Sequence, residues 1–267
     1  MISVCIPVYN AENTLKQTIN SVLSQSYSDF ELIIVDNCST DKSRIIIDQF
    51  SDSRLRLINN LSTVTMAENW SKALSEARGT WSKILCADDL LDVCALQSSV
   101  NAVNRNPNSV AVFGRRNIVN ESGLQVAQPR SFWGDKNLIS RNDLINKILR
   151  TGTNPCGEPF CVMWRTEMNQ KITSSISDWN YYVDLEMWLN ISKFGEIVHI
   201  PDQMGSFRVS KKALTARKGF AVVSEARSFF LNNKHFSSRN LNSRIRGLTF
   251  ALARIIARKV FLSLRNG

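Results

Sequence analysis

The sequence has little of what marks several common classes of functional site. Only two histidines occur among 267 residues, and the six cysteines form no CxxC pair and show no regular spacing, so a zinc site is not expected. No GxGxxG follows the first predicted strand and no GxxxxGK[ST] occurs anywhere. The usual dinucleotide-binding and P-loop interpretations therefore fail.

Long apolar runs are also missing. No stretch approaches about 18 uncharged apolar residues, so no membrane-spanning helix is expected. Residues 1–7 lack the basic start of a signal peptide. With the irregular cysteine spacing, these features predict a reduced, cytosolic protein, and an apolar content of 43% is enough for a sizeable core.

Positive charge is concentrated at one end of the chain. Residues 1–204 contain 19 Lys and Arg against 22 Asp and Glu, a net charge of −3, whereas residues 205–267 contain 14 Lys and Arg against Glu225 alone, a net charge of +13. The overall charge of +10 therefore belongs to the C-terminal region. Such asymmetry favours an anionic partner, which is a membrane surface, a nucleic acid or an acidic protein face.

Apolar runs alternate with amphipathic segments through the first half of the chain. Helical patterns separate the predicted strands, which are residues 2–8, 30–35, 55–58, 81–87 and 110–113. This alternation with short connections predicts an α/β fold with a mostly parallel sheet flanked by helices. Further along, a helix at 184–193, an edge strand at 197–200 and a basic helical region from about 221 are predicted.

Two adjacent carboxylates, Asp88 and Asp89, follow the strand predicted at 81–87. The carboxyl edge of an open α/β sheet is where ligands bind. Neighbouring carboxylates resist joint ionisation unless a cation lies beside them, and Mg²⁺ or Mn²⁺ prefers such oxygen ligands. The pattern predicts a divalent-metal site next to substrate phosphates, with an N-cap for the following helix as the alternative.

Two other strand ends point to the same edge of the predicted sheet. The first strand ends at Pro7-Val8-Tyr9-Asn10, and the second ends at Asp36. Tyr9 offers a flat face for a base, and Asp36 can accept a hydrogen bond from a base N–H. A nucleotide with a metal at its diphosphate suits this arrangement.

At these positions the sequence resembles the family 2 glycosyltransferases, which have the GT-A fold. The resemblance covers roughly residues 2–210. The matching segments are residues 7–12, 34–41, 69–73, Gly79, 88–91, 184–189 and 207–208. It divides the chain into a catalytic domain, 1–210, and a basic helical region, 211–267. Residues 1–113 would form the nucleotide-binding half of the domain and 114–210 the acceptor-binding half.

The resemblance implies roles for individual residues. Tyr9 and Asp36 would hold the nucleobase, Asp88 the ribose or sugar, and Asp89 the divalent metal, Mn²⁺ or Mg²⁺. The remaining residues assigned to the nucleotide sugar are Pro7, Glu12, Asn69, Lys72 and Arg208. An acceptor site is expected around Glu158, Trp133 and Trp179, although core packing is the alternative for each Trp.

Asp184 matches the catalytic base of the family. A carboxylate at the start of a helix whose apolar residues pack inward agrees with that role, and an N-cap is the alternative. Glu186 is the rival acid, but it lies two positions on and points elsewhere on a helix.

Four positions depart from the pattern of the family, and they are Cys86, Val183, Glu68 and Ser210. The family often has Asp at the position of Cys86 and Glu at that of Val183. It often has a basic residue at the position of Glu68 and His at that of Ser210. Lys211, Lys212 or Arg208 would then neutralise the diphosphate. Dependence on a divalent metal is expected.

The C-terminal helix is predicted to be basic and amphipathic. Seven apolar residues fall within about a third of the helical wheel, and they are Leu241, Ile245, Leu248, Leu252, Ile255, Ile256 and Leu262. Arg254, Arg258 and Arg265 lie towards the other side. This pattern favours peripheral binding to the cytoplasmic face of an inner membrane, with packing on the domain or in a homodimer as the alternative. No nucleic-acid partner is expected.

The resemblance predicts an inverting transferase that moves a sugar from a nucleoside diphosphate to a glycan or a polyprenyl-diphosphate-linked saccharide, as in O-antigen synthesis. UDP-hexose is the favoured donor and dTDP-rhamnose the second, because uracil and thymine both present an N3–H to Asp36. The alternatives are a nucleotidyltransferase and a degenerate, non-catalytic GT-A binding module.

Overall fold

The first half of the chain forms a parallel sheet, as the sequence predicts. In the computed structural model, which describes residues 1–129, 131–176, 179–209 and 219–264, the order of the first four strands is β3-β2-β1-β4. These strands are β1 (Ile2–Val8), β2 (Phe30–Asp36), β3 (Leu55–Asn59) and β4 (Trp81–Ile84). All residues of β1 and β2 are buried, because helices cover both faces of the sheet.

The second half extends the same sheet with strands of both directions. The order continues as β9-β6-β10-β5, with β7 paired to β6 and β8 paired to β10. These strands are β5 (Leu90–Leu91), β6 (Ala111–Val119), β7 (Gln125–Ala127), β8 (Leu138–Ile139), β9 (Val162–Arg165) and β10 (Ile197–Arg208). Strand β9 is antiparallel to β4 and β6, whereas β10 is parallel to β6.

The sequence misjudged β10. An edge strand was predicted at 197–200, but β10 has 12 residues and lies between β6 and β5. Exposed Pro201 and Asp202 interrupt the apolar pattern where the register with β6 shifts between His199 and Gln203. The strand nevertheless continues to Arg208, which brings this residue to the acidic pair.

Nine α-helices are described around the sheet. They are α1 (Leu15–Leu23), α2 (Ser43–Ile47), α3 (Met66–Ser75), α4 (Ala95–Arg105), α5 (Arg141–Thr151), α6 (Asn169–Ile176), α7 (Val183–Ile191), α8 (Gly219–Asn232) and α9 (Leu241–Leu264). Thr65 and Glu68 form a capping box at the start of α3. Glu68, one of the departures from the family pattern, therefore has a structural role here.

Helix α9 packs against α5 and α8. Gly152, which ends α5 with φ +62°, meets α9 so closely that a Cβ there would lie 2.7 Å from the carbonyl oxygen of Gly247. Leu248, Leu252 and Ile255 are half-buried against the core. Part of the predicted apolar face of the C-terminal region is therefore buried against the catalytic domain.

Several residues named above lie outside the described part of the chain. They are Ser210, Lys211, Lys212 and Arg265, together with the side chains of Arg258 and Leu262. Among the described residues, no helix combines the length and the apolar character needed to cross a bilayer.

Candidate active site

The acidic pair lies in a tight connection between β4 and β5, at the carboxyl end of β4. Strand β4 ends at Ile84, earlier than predicted, and Leu90–Leu91 form β5 rather than the start of a helix. Helix α4 begins only at Ala95, after an N-cap at Cys94. The N-cap alternative for Asp88 and Asp89 is therefore excluded. Thr18 on α1 donates its hydroxyl to the carbonyl oxygens of Ala87 and Asp89 at 3.0 and 2.9 Å and so fixes the connection.

Arg208 holds the acidic connection from the other side. Its backbone N–H donates to Asp89 Oδ1 at 3.0 Å, and its Nε donates to the carbonyl oxygen of Asp88 at 2.9 Å. The guanidinium also reaches the carbonyl oxygen of Glu121 and Gln17 Oε1. With only 3% of its surface exposed, Arg208 positions the two carboxylates. These contacts occupy much of the guanidinium that the sequence assigned to the diphosphate.

The two carboxylates are poorly compensated. Burial raises the pKa of Asp89 well above its usual range, and the neighbouring Asp88 raises it further. Burial also raises the pKa of Asp88, against the attraction of Arg208. Buried Asp89 and half-buried Asp88 share the single cation of Arg208, which leaves room for a further positive charge.

The donor set of this site fits a hard divalent cation. Oxygens of Asp88 and Asp89 and the Cys86 sulfur lie within 4.8 Å of one another. Burial raises the pKa of the Cys86 thiol, and the charge of Asp89 adds to this effect, so Cys86 stays protonated and adds no third anion. Carboxylate oxygens suit Mg²⁺ or Mn²⁺, whereas a protonated thiol is a poor ligand for either ion. Asp88 and Asp89 are the residues that would hold it.

The two loops predicted to hold the nucleobase interlock with each other. Asn10 and Cys38 both adopt the left-handed backbone region, with φ of +51° and +55°. Asn10 Oδ1 accepts a hydrogen bond from the backbone N–H of Thr40, and Glu12 Oε2 accepts one from that of Lys42. Glu12 therefore braces the second loop.

Tyr9 and Asp36 lie on this braced platform. Pairing in register places Val8 beside Asp36, so the ends of β1 and β2 share one edge. Tyr9 is 52% exposed, directly after buried Pro7 and Val8. Asp36 Oδ1 accepts hydrogen bonds from the backbone N–H and the hydroxyl of Ser39, whereas its Oδ2 has no described partner.

Two other residues assigned to the nucleotide sugar, Asn69 and Lys72, lie on different sides of helix α3. Asn69 is buried and accepts a hydrogen bond from Asn60, which also donates to Asn37 next to Asp36. Lys72 lies on the exposed side of the helix, where its Nζ pairs with Glu76 at 2.8 Å. Asn69 thus supports the loop after β2, whereas the structure does not bring Lys72 to the cavity described next.

A cavity of about 560 Å³ opens beside the acidic pair. Asp88 and Asp89 lie on its wall together with Asp184, Glu158 and Arg116. The volume is within the usual range for small-molecule sites. The tertiary structure therefore brings four acidic positions selected from the sequence, Asp88, Asp89, Glu158 and Asp184, into one space.

Asp184 lies in the first turn of α7 and is fixed by two donors. Asn154 Nδ2 donates to its Oδ2 at 2.7 Å, and the backbone N–H of Leu185 donates to its Oδ1 at 2.8 Å. The N-cap of α7 is Tyr182, so the N-cap alternative for Asp184 does not hold. Burial raises the pKa of Asp184 to about 7, and the charge of Glu158 contributes to this rise. A carboxylate with this pKa suits general-base catalysis near neutral pH.

Asn154 also organises the turn that carries Glu158. Its side chain accepts hydrogen bonds from the backbone N–H groups of Cys156 and Gly157 and donates to the carbonyl oxygen of Gly157. Glu158 then forms an ion pair with Arg116 at 2.5 Å. This network couples the turn to the base.

Replacing Glu158 by Gln is expected to move the pH dependence of turnover to lower pH. A base works only when ionised, so turnover should rise as pH passes through the Asp184 pKa of about 7. Loss of the Glu158 charge lowers that pKa. Turnover measured from about pH 5 to about pH 8 tests this, with exposed Glu167→Gln as the control, and an unmoved profile would contradict the assigned coupling.

The rival acid, Glu186, lies in a separate polar network. Its carboxylate accepts a hydrogen bond from Asn233 at 2.7 Å and contacts His235 Nε2 at 3.1 Å. These hydrogen bonds help to hold the pKa of Glu186 below its usual range despite burial. Glu186 therefore ties α7 to the segment before α9, away from the cavity.

Of the two tryptophans predicted to contact the acceptor, Trp133 is buried in the core and Trp179 is half-buried against it. Trp133 packs edge-on against Phe113, with its indole N–H donating to the carbonyl oxygen of Pro155 at 3.0 Å. Trp179 packs edge-on against Phe229. Neither ring lines the cavity, so the alternative of core packing accounts for Trp133, whereas acceptor contact by Trp179 stays a prediction. The aromatic residues that line the cavity are Trp70, Tyr181, Tyr182 and Phe207.

Helix α9 supplies part of the wall of this cavity. Ala251, Arg254, Ile255 and Ala257 line it, and Arg254 Nε donates to the carbonyl oxygen of Thr151 at 3.0 Å. Sequence reasoning missed this contribution, together with Arg116 and Asn154. Only Asn154 had a local signal, the turn sequence at 154–159.

Comparisons with known proteins identify the family of this chain. The profile of Glycosyl transferase family 2 matches residues 3–173. Over 220 residues the chain is 27% identical to the UDP-Glc:alpha-D-GlcNAc-diphosphoundecaprenol beta-1,3-glucosyltransferase WfgD of Escherichia coli, which covers 82% of this chain and 81% of that protein. Over 202 residues it is 26% identical to the putative glycosyltransferase EpsE of Bacillus subtilis, covering 73% and 67% respectively.

Solved structures show the same fold. TarS 1-349 of S. aureus in complex with UDP-GlcNAc matches with a TM-score of 0.68 and 17% identity, covering 96% of this chain and 72% of that chain. The mannosyltransferase PcManGT of Pyrobaculum calidifontis, in complex with GDP-Man and Mn²⁺, matches with a TM-score of 0.60 and 18% identity, covering 99% and 79%. The chain thus belongs to glycosyltransferase family 2, and it is a glycosyltransferase with the GT-A fold.

Proposed function

We propose that this enzyme transfers a hexose from a UDP-sugar, with inversion, to a lipid-diphosphate-linked saccharide in bacterial polysaccharide assembly. The observation that carries the proposal is the position of Asp184, a buried carboxylate with a pKa of about 7, in the same cavity as Asp88 and Asp89. One acid thus lies ready to accept a proton, while two others lie where a donor diphosphate would be held. A nucleotidyltransferase is set aside by the family assignment.

The chemistry follows from this arrangement. Asp184 takes the proton of an acceptor hydroxyl, and the hydroxyl oxygen attacks the anomeric carbon from the face opposite the diphosphate. The bond to the diphosphate breaks and its electron pair leaves with the nucleotide, so a single displacement inverts the stereocentre. A divalent cation held by Asp88 and Asp89 would neutralise charge on the leaving diphosphate.

The preference for a uracil nucleotide rests on Asp36. Its Oδ2 is unpaired among the described residues and can accept a hydrogen bond from the N3–H of uracil, or of thymine in the second choice, dTDP-rhamnose. The similarity to WfgD, whose name specifies UDP-Glc and a diphosphoundecaprenol-linked acceptor, also supports the UDP-hexose and lipid-linked assignments.

Transfer assays would test the proposal directly. The purified enzyme is incubated with Mn²⁺ and individual UDP-hexoses or dTDP-rhamnose, with a polyprenyl-diphosphate-linked saccharide as acceptor, and release of nucleoside diphosphate is measured. Acceptor-dependent release of UDP is the expected result. Release of dTDP instead would identify dTDP-rhamnose, rather than a UDP-hexose, as the donor. No release with any donor and acceptor would contradict the proposed reaction.

We also propose that α9 places the enzyme on the cytoplasmic face of the inner membrane. Leu241, Ile245 and Ile256 remain exposed by 58%, 46% and 62%. At about 100° per residue, they fall within about 60° of one another on the helical wheel. This exposed apolar stripe, next to the basic charge of the C-terminal region, is typical of helices that lie on an anionic bilayer.

Substituting Ser at the three stripe positions is expected to weaken binding to anionic vesicles by at least about tenfold, because apolar contact with the bilayer is lost. Activity on a lipid-linked acceptor should fall, whereas activity on a soluble analogue should not. Vesicle sedimentation measures the binding, with fully exposed Leu61→Ser as the control. Unchanged vesicle binding together with a shift from dimer to monomer would instead assign the stripe to a homodimer.

Deleting residues 239–267 is expected to abolish activity on both kinds of acceptor. The deletion removes one wall of the cavity and uncovers Leu149 and Phe230, against which α9 packs. The melting temperature should fall by several degrees, since burying even one large apolar side chain contributes about 1.5–3 kcal/mol. A truncated protein with normal stability and normal activity on soluble acceptors would contradict this packing.

A further inference from the structure

A second cavity lies outside the catalytic one, where the end of α5 meets the start of α9. Its volume is about 550 Å³, and three arginines line it: Arg150, Arg239 and Arg246. Arg150 is in the last turn of α5, Arg239 just precedes α9, and Arg246 is on its second turn. No Asp or Glu is among the described residues that line the cavity.

The three arginines are not neutralised within the described structure. None forms an ion pair with a described carboxylate, unlike Arg44, Arg54, Arg56 and Arg116. Three guanidinium groups from different segments therefore face one space without a counter-charge. Such a concentration of positive charge, with Arg150 and Arg246 exposed to solvent and Arg239 half-buried, attracts an anion.

Arg239 is also incompletely hydrogen-bonded. Its Nη2 donates to Asn142 Oδ1 at 2.6 Å, but its buried Nε has no hydrogen-bond partner among the described residues. The positive charge of Arg239 also acts on Arg141. Burial lowers the pKa of Arg141, the charge of Glu186 opposes this effect, and repulsion by Arg239 lowers the pKa further. An unpaired buried donor in a positive environment calls for an acceptor group.

The polar groups around the arginines suit a phosphate. Ser238, Asn240 and Ser243 line the same cavity. Guanidinium groups bind phosphate oxygens through paired hydrogen bonds, and the positive end of the α9 dipole adds to the attraction. The volume exceeds that of a lone phosphate and admits a small organic group attached to it.

We propose that this cavity binds the phosphate group of a second ligand, distinct from the nucleotide sugar. The ligand is a phosphate ester, either free in solution or the headgroup of an anionic phospholipid. Binding would stabilise the junction of α5 and α9 and thereby the cavity wall that α9 supplies. The inference goes beyond the proposed function and does not depend on it.

The first test measures the melting temperature of the intact enzyme against inorganic phosphate and glycerol 3-phosphate at constant ionic strength. EDTA is present to keep divalent cations from drawing phosphate to the acidic pair. Saturable stabilisation is expected in the wild type. Arg246→Gln and Arg150→Gln should each weaken the apparent affinity about tenfold, the usual scale for one charge-assisted hydrogen bond. Arg227→Gln on α8, which removes the same charge elsewhere, should have no effect.

A second arm distinguishes the two sources of phosphate. Wild-type and variant proteins are sedimented with phosphatidylglycerol vesicles and with phosphatidylcholine vesicles. Selective loss of phosphatidylglycerol binding in both Arg246→Gln and Arg150→Gln, which lies on α5 and outside the membrane-binding helix, but not in Arg227→Gln, assigns the site to a lipid headgroup. A loss of affinity for the soluble esters alone assigns it to a free phosphate ester.

The variants also separate this inference from the proposed function. Arg150 and Arg246 lie outside the catalytic cavity, so transfer to a soluble acceptor should stay normal in both variants. Absence of phosphate stabilisation together with equal vesicle binding by all variants would overturn the inference. Equal weakening by Arg227→Gln would also overturn it, because only overall charge would then matter.

Discussion

Replacing Asp184 by Asn is expected to lower the turnover number by at least about a hundredfold, with donor affinity nearly unchanged. The variant keeps the size of the side chain but cannot accept the proton of the acceptor hydroxyl. Because Asp184 is held by Asn154 and by the N–H of Leu185, its orientation is fixed before the acceptor binds. Single-turnover kinetics and donor titration would measure the two effects separately.

Glu186→Gln is the matched control for this experiment. Glu186 lies two residues away but hydrogen-bonds Asn233 and contacts His235. Its replacement should therefore lower the melting temperature and leave the turnover number of the folded enzyme nearly unchanged. A larger turnover loss in Glu186→Gln than in Asp184→Asn would show that the choice between the two acids was wrong. Weak donor binding with normal turnover in Asp184→Asn would make Asp184 a binding residue.

Replacing Asp89 by Asn is expected to reduce transfer by at least about a hundredfold, since a metal ion contributes several kcal/mol to stabilising charge in a transition state. Asn is preferred to Ala because Asp89 Oδ1 accepts the backbone N–H of Arg208 within the buried connection. The amide can preserve this bond while removing the charge that would hold the cation. Activity with Mn²⁺ and activity in EDTA are the measurements.

Although Asp89→Asn is expected to lose activity, its folded state is expected to be at least as stable as that of the wild type when no metal is bound. The pKa of Asp89 is raised in the folded state, so its ionised form destabilises the fold above that pKa, and the penalty is relieved as the pH falls. In EDTA near neutral pH, Asp89→Asn should therefore melt no lower than the wild type. Mn²⁺ should stabilise the wild type and the control variant Asp92→Asn, but not Asp89→Asn. Full wild-type activity in EDTA would contradict the metal assignment.

Local patterns were sufficient for the first half of the fold. The apolar runs that became β1 and β2 are continuous, because both faces of a parallel sheet are buried. Where polar residues interrupt a strand, as at Pro201 and Asp202 in β10, the pattern gave too short an element. The insertion of antiparallel β9 between β4 and β6 was also missed, because strand order depends on pairing between distant segments.

The candidate site was only partly readable from the sequence. Asp88, Asp89 and Asp184 could be selected because acids at strand ends and helix starts have local signals, and the structure places all three on one cavity wall. The choice between core packing and acceptor contact for Trp133 could not be made from the sequence, since burial of an aromatic ring depends on what packs against it. Lys72 points to Glu76 on an exposed helix face, an outcome set by local pairing.

By itself, the sequence determined the alternation of strands and helices, the acidic pair at a strand end and the separation of charge along the chain. These features follow from the periodicity of apolar residues and from composition. The tertiary structure decided how the acids are held and how strongly they bind protons. Arg208 reaches Asp89 across 119 positions of sequence, and Asn154 reaches Asp184 across 30. Burial and such long-range contacts set the pKa values and fixed α9 as a wall of the cavity, because both depend on neighbours that only folding brings together.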